Sequence, residues 1–196
     1  MTTFNIEKFW ASEAAEHQDT FEKAFATLQN EFEQMLNTCT QSIENGGKIL
    51  FFGNGGSASD AQHLATELTV RYVHDRRPIP AIALTTDTSA LTAIGNDYGF
   101  NHLFSRQIEA LGGPGDVAIA ISTSGSSENI LHGLKMARKK GLKTIGLSGR
   151  DGGKMPGLCD TLIIIPSNTT ARIQEMHILL GHMLCGALEK KLNLVE

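Results

Sequence analysis

The chain has 196 residues, 41% of them hydrophobic, which is enough for a packed core and too many for a disordered polymer. Seventeen Lys and Arg against 21 Asp and Glu leave a net charge of −4, which argues against broad electrostatic binding to nucleic acid or to an anionic membrane. No apolar run reaches the roughly 18 residues of a membrane span, and the first residues lack the charged-then-apolar order of a secretory signal. The expectation is one domain, 1–196, with neither a nucleic-acid nor a membrane partner. Residues 1–45 form a helical arm and 46–196 an α/β core. In the arm, Phe21, Phe25, Leu28, Phe32, Met35 and Cys39 recur at steps of three and four and form one apolar stripe. Asn45-Gly46-Gly47 ends it. A helix placed before the first strand is no crossover, so its stripe is expected to serve partly as an interface between subunits.

From residue 48 short apolar runs alternate with helical patterns. The runs are Lys48–Phe52, Ile79–Leu84, Asp116–Ile121, Lys143–Leu147 and Thr161–Ile165. Near-continuous apolar strands suit a parallel sheet covered on both faces. Helical patterns occupy about 57–71, 126–140 and 170–192. The fold class expected is a doubly wound α/β architecture, a five-stranded parallel sheet flanked by helices, with ligands bound beyond the carboxyl ends of the strands. The three cysteines, Cys39, Cys159 and Cys185, are far apart with no CxxC spacing. They read as small core residues in a reduced, cytoplasmic compartment.

Two loops suit an anion. Gly53-Asn54-Gly55-Gly56-Ser57 follows a strand and opens a helix, so free backbone N–H groups and the positive helix end face the same way. It matches a relaxed dinucleotide fingerprint. The acid expected about 20 residues later is missing, which argues against nicotinamide. Ser122-Thr123-Ser124-Gly125-Ser126-Ser127 also ends a strand and starts a helix. Its five hydroxyls favour a phosphate monoester, and no Walker lysine is present. Groups able to move protons lie on two helices. His63 and Glu67 share a face at i,i+4. On the last helix, Gln174, His177, Gly181 and Cys185 trace one face, and spacing does not choose between His177 and His182 as the functional histidine. Gly181 is a poor helix former and reads as a gap left for a neighbour. Asn96-Asp97, Arg76-Arg77-Pro78 and Asp151-Gly152-Gly153 read as turns, the second of them solvated. His17, His74, His102 and His132 are assigned to the surface or to packing.

Taken in order, Gly53-Asn54-Gly55-Gly56-Ser57, Pro80–Thr85, Gly95-Asn96-Asp97, Ile121–Gly125, Asp151–Lys154 and Ala171-Arg172-Ile173-Gln174-Glu175 resemble the phosphoheptose isomerases of the sugar-isomerase (SIS) fold over nearly the whole chain. The resemblance implies conversion of D-sedoheptulose 7-phosphate to D-glycero-D-manno-heptose 7-phosphate, an early step toward the lipopolysaccharide core, in a cytoplasmic homotetramer with sites shared between subunits. It implies substrate contacts from Asn54, Gly55, Gly56, Glu67, Asn96, Asp97, Ser122, Thr123, Ser124, Ser127 and Gln174. It implies a zinc site at His63, Glu67, Gln174 and His182, with Glu67 and His182 as catalytic base and acid. Zinc is structural, activating or absent on this reading. Gln174 and His182 stand about 12 Å apart along an ideal helix, so sharing one ion needs leaning side chains, a bend or a second chain. The alternative is a non-enzymatic relative of the same fold that binds the replication initiator at the chromosomal origin. The presence of both Glu67 and His182 favours the enzyme.

Overall fold

Apolar runs become the strands β1 (Ile49–Gly53), β2 (Ala81–Ala83), β3 (Val117–Ile121), β4 (Lys143–Gly149) and β5 (Thr161–Ile165) of the computed structural model, which describes residues 3–195; the central strands β1 and β3 are buried on both faces. All four ladders are parallel, in the order β2-β1-β3-β4-β5. The helices are α1 (Ile6–Thr27), α2 (Gln29–Glu44), α3 (Gly56–Thr69), α4 (Thr88–Asp97), α5 (Leu103–Leu111), α6 (Glu128–Lys139) and α7 (Thr170–Lys191). This is the doubly wound sheet that the alternation of elements predicts, with the helical arm in front of it.

Strand alternation divides the core into two layers. Ile49 and Phe51 of β1, with Val117, Ile119 and Ile121 of β3, pack under α2, α3 and α7 through Met35, Cys39, Leu64, Leu68, Ile173, Met176 and Leu180. Leu50 and Phe52 face the other way, onto Phe104 and Ile108 of α5 and Ile130 and Leu134 of α6. On that second face β3 presents only Ala118 and Ala120, which lets the helices come close. Gly133 of α6 sits where a Cβ would meet the Phe52 ring at 2.7 Å.

The chain turns from β1 toward β2 on one side and from β3 toward β4 on the other. The loops after β1 and β3 therefore part at the carboxyl edge and leave a crevice. Both glycine- and serine-rich loops border it.

Three expectations are corrected. The arm is two helices, interrupted at Leu28 (φ −105°, ψ 9°). Just before the break, the Thr27 hydroxyl donates to the Lys23 carbonyl four residues back, a contact that bends helices. Asn96 and Asp97 form no turn; they end α4, which the Asp87 carboxylate caps through the Ala90 N–H. Arg76 is not solvated, since its side chain is 1% exposed and pairs with Glu189.

Candidate active site

The loop after β1 owes its shape to glycine. Gly55 has φ +56°, a conformation that L side chains rarely adopt. At Gly53 a Cβ would meet the Ser57 carbonyl at 2.6 Å. At Gly56 it would meet Nε2 of Gln174 at 2.4 Å, so the Gln174 carboxamide lies against the first residue of α3. No side chain caps α3. The loop after β3 is held differently. Gly125 (φ +61°) touches the turn after β4, where a Cβ would come within 2.0 Å of the Gly152 carbonyl, and the Lys154 N–H donates to the Gly125 carbonyl. The Gly152–Gly153 turn thus buttresses the serine loop, a relation invisible in the local sequence. Ser127 occupies the N-cap position of α6 without a side-chain capping bond, so an ordinary N-cap does not account for its hydroxyl. Asn54 and Asn129 join the two loops by exchanging carboxamide hydrogen bonds of 2.9 and 2.8 Å.

The titratable cluster lies where α3 and α7 touch. At Gly181 a Cβ would meet Leu64 at 2.6 Å, so the missing side chain permits this approach. Nε2 of His63 and Nε2 of His182 then stand 2.8 Å apart, with the rings edge to face. Oε1 of Glu67 is 3.4 Å from Nε2 of His63. Asp60, one turn earlier on α3, completes the cluster; burial raises its pKa, opposed by the charges of His63 and His182. Sequence reading missed Asp60, although 60, 63 and 67 follow the same 3–4 spacing. Burial first, then the nearby Glu67 and Glu189 carboxylates, push the Cys185 thiol up to about 12, which keeps it protonated.

The other expected residues fall outside this cluster. Gln174 is at the N-terminal end of α3, about 10 Å of helix rise from His63. Asn96 and Asp97 are exposed and bonded to each other at 2.7 Å. His177 is a core histidine: its Nε2 meets the Ser148 carbonyl at 3.0 Å, and burial lowers its pKa to about 4. Among the described residues no three His, Cys, Asp or Glu side chains form a ready metal cage.

Residues 14–149 match the SIS domain family. The chain is 58% identical over 181 residues to the phosphoheptose isomerase of Paramagnetospirillum magneticum, covering 92% of this chain and 94% of that one. It is 51% identical over 185 residues to the phosphoheptose isomerase of Helicobacter pylori, covering 94% and 96%. Among solved structures, the phosphoheptose isomerase of Neisseria gonorrhoeae aligns with a TM-score of 0.90 at 46% identity, over 95% of this chain and 100% of that one. The enzyme from Francisella tularensis aligns with a TM-score of 0.92 at 35% identity, with the same coverage.

Proposed function

Because the chain belongs to the phosphoheptose isomerases of the SIS domain family, we infer that it interconverts D-sedoheptulose 7-phosphate and D-glycero-D-manno-heptose 7-phosphate. The observation that carries the residue roles is the meeting of Glu67 and His182 at His63, from two different helices. Ser122, Thr123, Ser124 and Ser127, with the N–H groups that open α6, hold the phosphate. Asn54, Gly55 and Gly56 line the sugar. The Glu67 carboxylate takes the proton from C1 of the ketose and returns it to C2 of the resulting enediol. His182 protonates O2 as the enediol forms and accepts the O1 proton as it collapses to the aldehyde.

Zinc belongs to this reading. His63, Glu67 and His182 offer the imidazole and carboxylate donors that zinc takes, and Gln174 would supply an amide oxygen. The bound ion would polarise the carbonyl and stabilise negative charge on its oxygen. Gln174 stands apart from the other three within one chain, which supports a site completed by a second copy. The arm supports the same assembly. Phe4, Phe9, Trp10, Phe21 and Phe25 are exposed, and α4 buries no residue of its own. A homotetramer in the cytoplasm, feeding heptose to the lipopolysaccharide core, is the setting inferred. Asn96 and Asp97, exposed on α4, are proposed to reach substrate across such an assembly. No finding favours the initiator-binding alternative.

Incubation with sedoheptulose 7-phosphate, followed by NMR with and without added zinc, tests the activity. Turnover is expected, and Glu67→Gln lowers kcat by roughly 10²–10⁴-fold with substrate binding retained. A variant at full rate removes Glu67 as the base.

A further inference from the structure

We propose that the buried Arg76–Glu189 pair, together with the Tyr72 ring that it anchors, is a positioning device that sets His182 against Glu67. The inference rests on reading those two residues as acid and base. Arg76 and Glu189 have side chains 1% and 2% exposed. Burying two charges forfeits hydration that their mutual attraction can fail to repay, and a well-packed apolar pair of similar volume is often as stable, so stability alone gives little reason to keep them.

The guanidinium is used on every side. Nε donates to Oε1 of Glu189 at 2.9 Å. Nη1 donates to the carbonyls of Leu68 (2.8 Å), Val70 (3.2 Å) and Arg77 (3.2 Å), and Nη2 to that of Glu67 (2.8 Å). Arg76 therefore does at the end of α3 what a left-handed glycine does at many helix ends, where the final carbonyls need donors. One of those carbonyls belongs to Glu67.

The other half of the device is on α7. His182, Gly186 and Glu189 follow at i, i+4 and i+7 and so share a face. Oε1 of Glu189 also accepts the Tyr72 N–H at 3.1 Å. The Tyr72 ring thereby lies over Gly186, where a Cβ would be 3.2 Å from Cε1, and stacks on the His182 imidazole with centroids 5.7 Å apart and planes 25° apart. A single carboxylate oxygen thus ties together the helix end that carries Glu67 and the ring that fixes the plane of His182. Leu64 against Gly181 already packs the two helices. What the polar clamp adds is their angular setting.

The test uses the full-length protein and two readouts. In the isomerase assay, Tyr72→Leu is expected to lower kcat by about 10- to 100-fold with KM within about twofold, the signature of lost positioning. Tyr72→Phe, which keeps the ring, restores kcat. Arg76→Lys, which cannot fork, loses about tenfold in kcat in the same manner. Independently of activity, the His182 Cε1–H resonance in protein labelled with 13C-histidine, assigned with His182→Gln, shifts in Tyr72→Leu and Arg76→Lys and holds in Tyr72→Phe. An unmoved resonance in the first two variants overturns the proposal, as does a fall in rate that only tracks a loss of folded protein. Full turnover by Glu67→Gln would instead overturn the assignment of the base; the resonance separates that failure from a failure of the clamp.

Discussion

His177 and His182 lie five residues apart on α7, and a rotation of about 140° sends them to opposite sides. His177 points at the Ser148 carbonyl of β4, and His182 at His63 of α3. Their spacing is uninformative because the choice depends on how α7 is rotated, which only packing decides. The consequence for stability has a definite sign. His177 binds its proton less readily in the fold, with a pKa of about 4, than in the unfolded chain, where the ordinary value is 6.5. Between those values the unfolded state holds more protons, so stability rises with pH through the window from about 4 to 6.5 and is fully present above it. Denaturant unfolding at pH 7 and at pH 4.5 should show a loss on the order of 2 to 3 kcal/mol, and His177→Leu should flatten that slope. Arg76 shows the same limit of local reading. Its dipeptide looks like a solvated turn, yet its partner, Glu189, is 113 residues away. His63–Glu67 was legible because both members lie on one helix. Asp60 extends the same spacing, and its approach to His182 is tertiary.

At the scale of elements, strands and long helices were readable wherever burial imposes a period. β5 occupies the predicted residues, and α7 ends one residue short of them. α4 escaped notice because it buries no residue fully and packs on the core only through the part-buried Leu91 and Ile94, a pair too short to stand out as a stripe, and Asn96-Asp97 looked like loop chemistry. α5 buries Leu103, Phe104, Gln107 and Ile108, but its nine residues are too few for a pattern to stand out. The contact between α3 and α7 depends on one absent side chain. Gly181→Ala would place a methyl within 2.6 Å of Leu64, against its own gain in helix propensity. Overpacking of that kind costs about 1–3 kcal/mol, and a lower melting temperature together with a reduced kcat is the expected result. A thermal melt alongside the isomerase assay checks both. A variant as stable and as active as the parent would mean that the helices part freely and that their close approach has no role.

For the whole molecule, composition and the alternation of elements sufficed for a doubly wound sheet; the strand order and the separation of Gln174 from His63 came only with the coordinates. The face of α1 carries Trp10 at 75% exposure and Phe9 at 48%, while apart from the buried Ala24 its inner contacts include polar ones: His17 with Glu175, the Glu13 carbonyl with Arg172, and Glu16 with Thr169. An aromatic row left in water is the sort of surface that another copy covers. Trp10→Glu should therefore lower the solution mass seen by light scattering, and a parent chain that is monomeric at micromolar concentration would refute the assembly. Gln174 gives that assembly a kinetic meaning. Gln174 stands apart from His63 within one chain, so a site completed by a second copy predicts an output per molecule that falls on dilution once copies separate. Rates collected at nanomolar enzyme would then report how much of the protein remains associated as much as how fast each centre works.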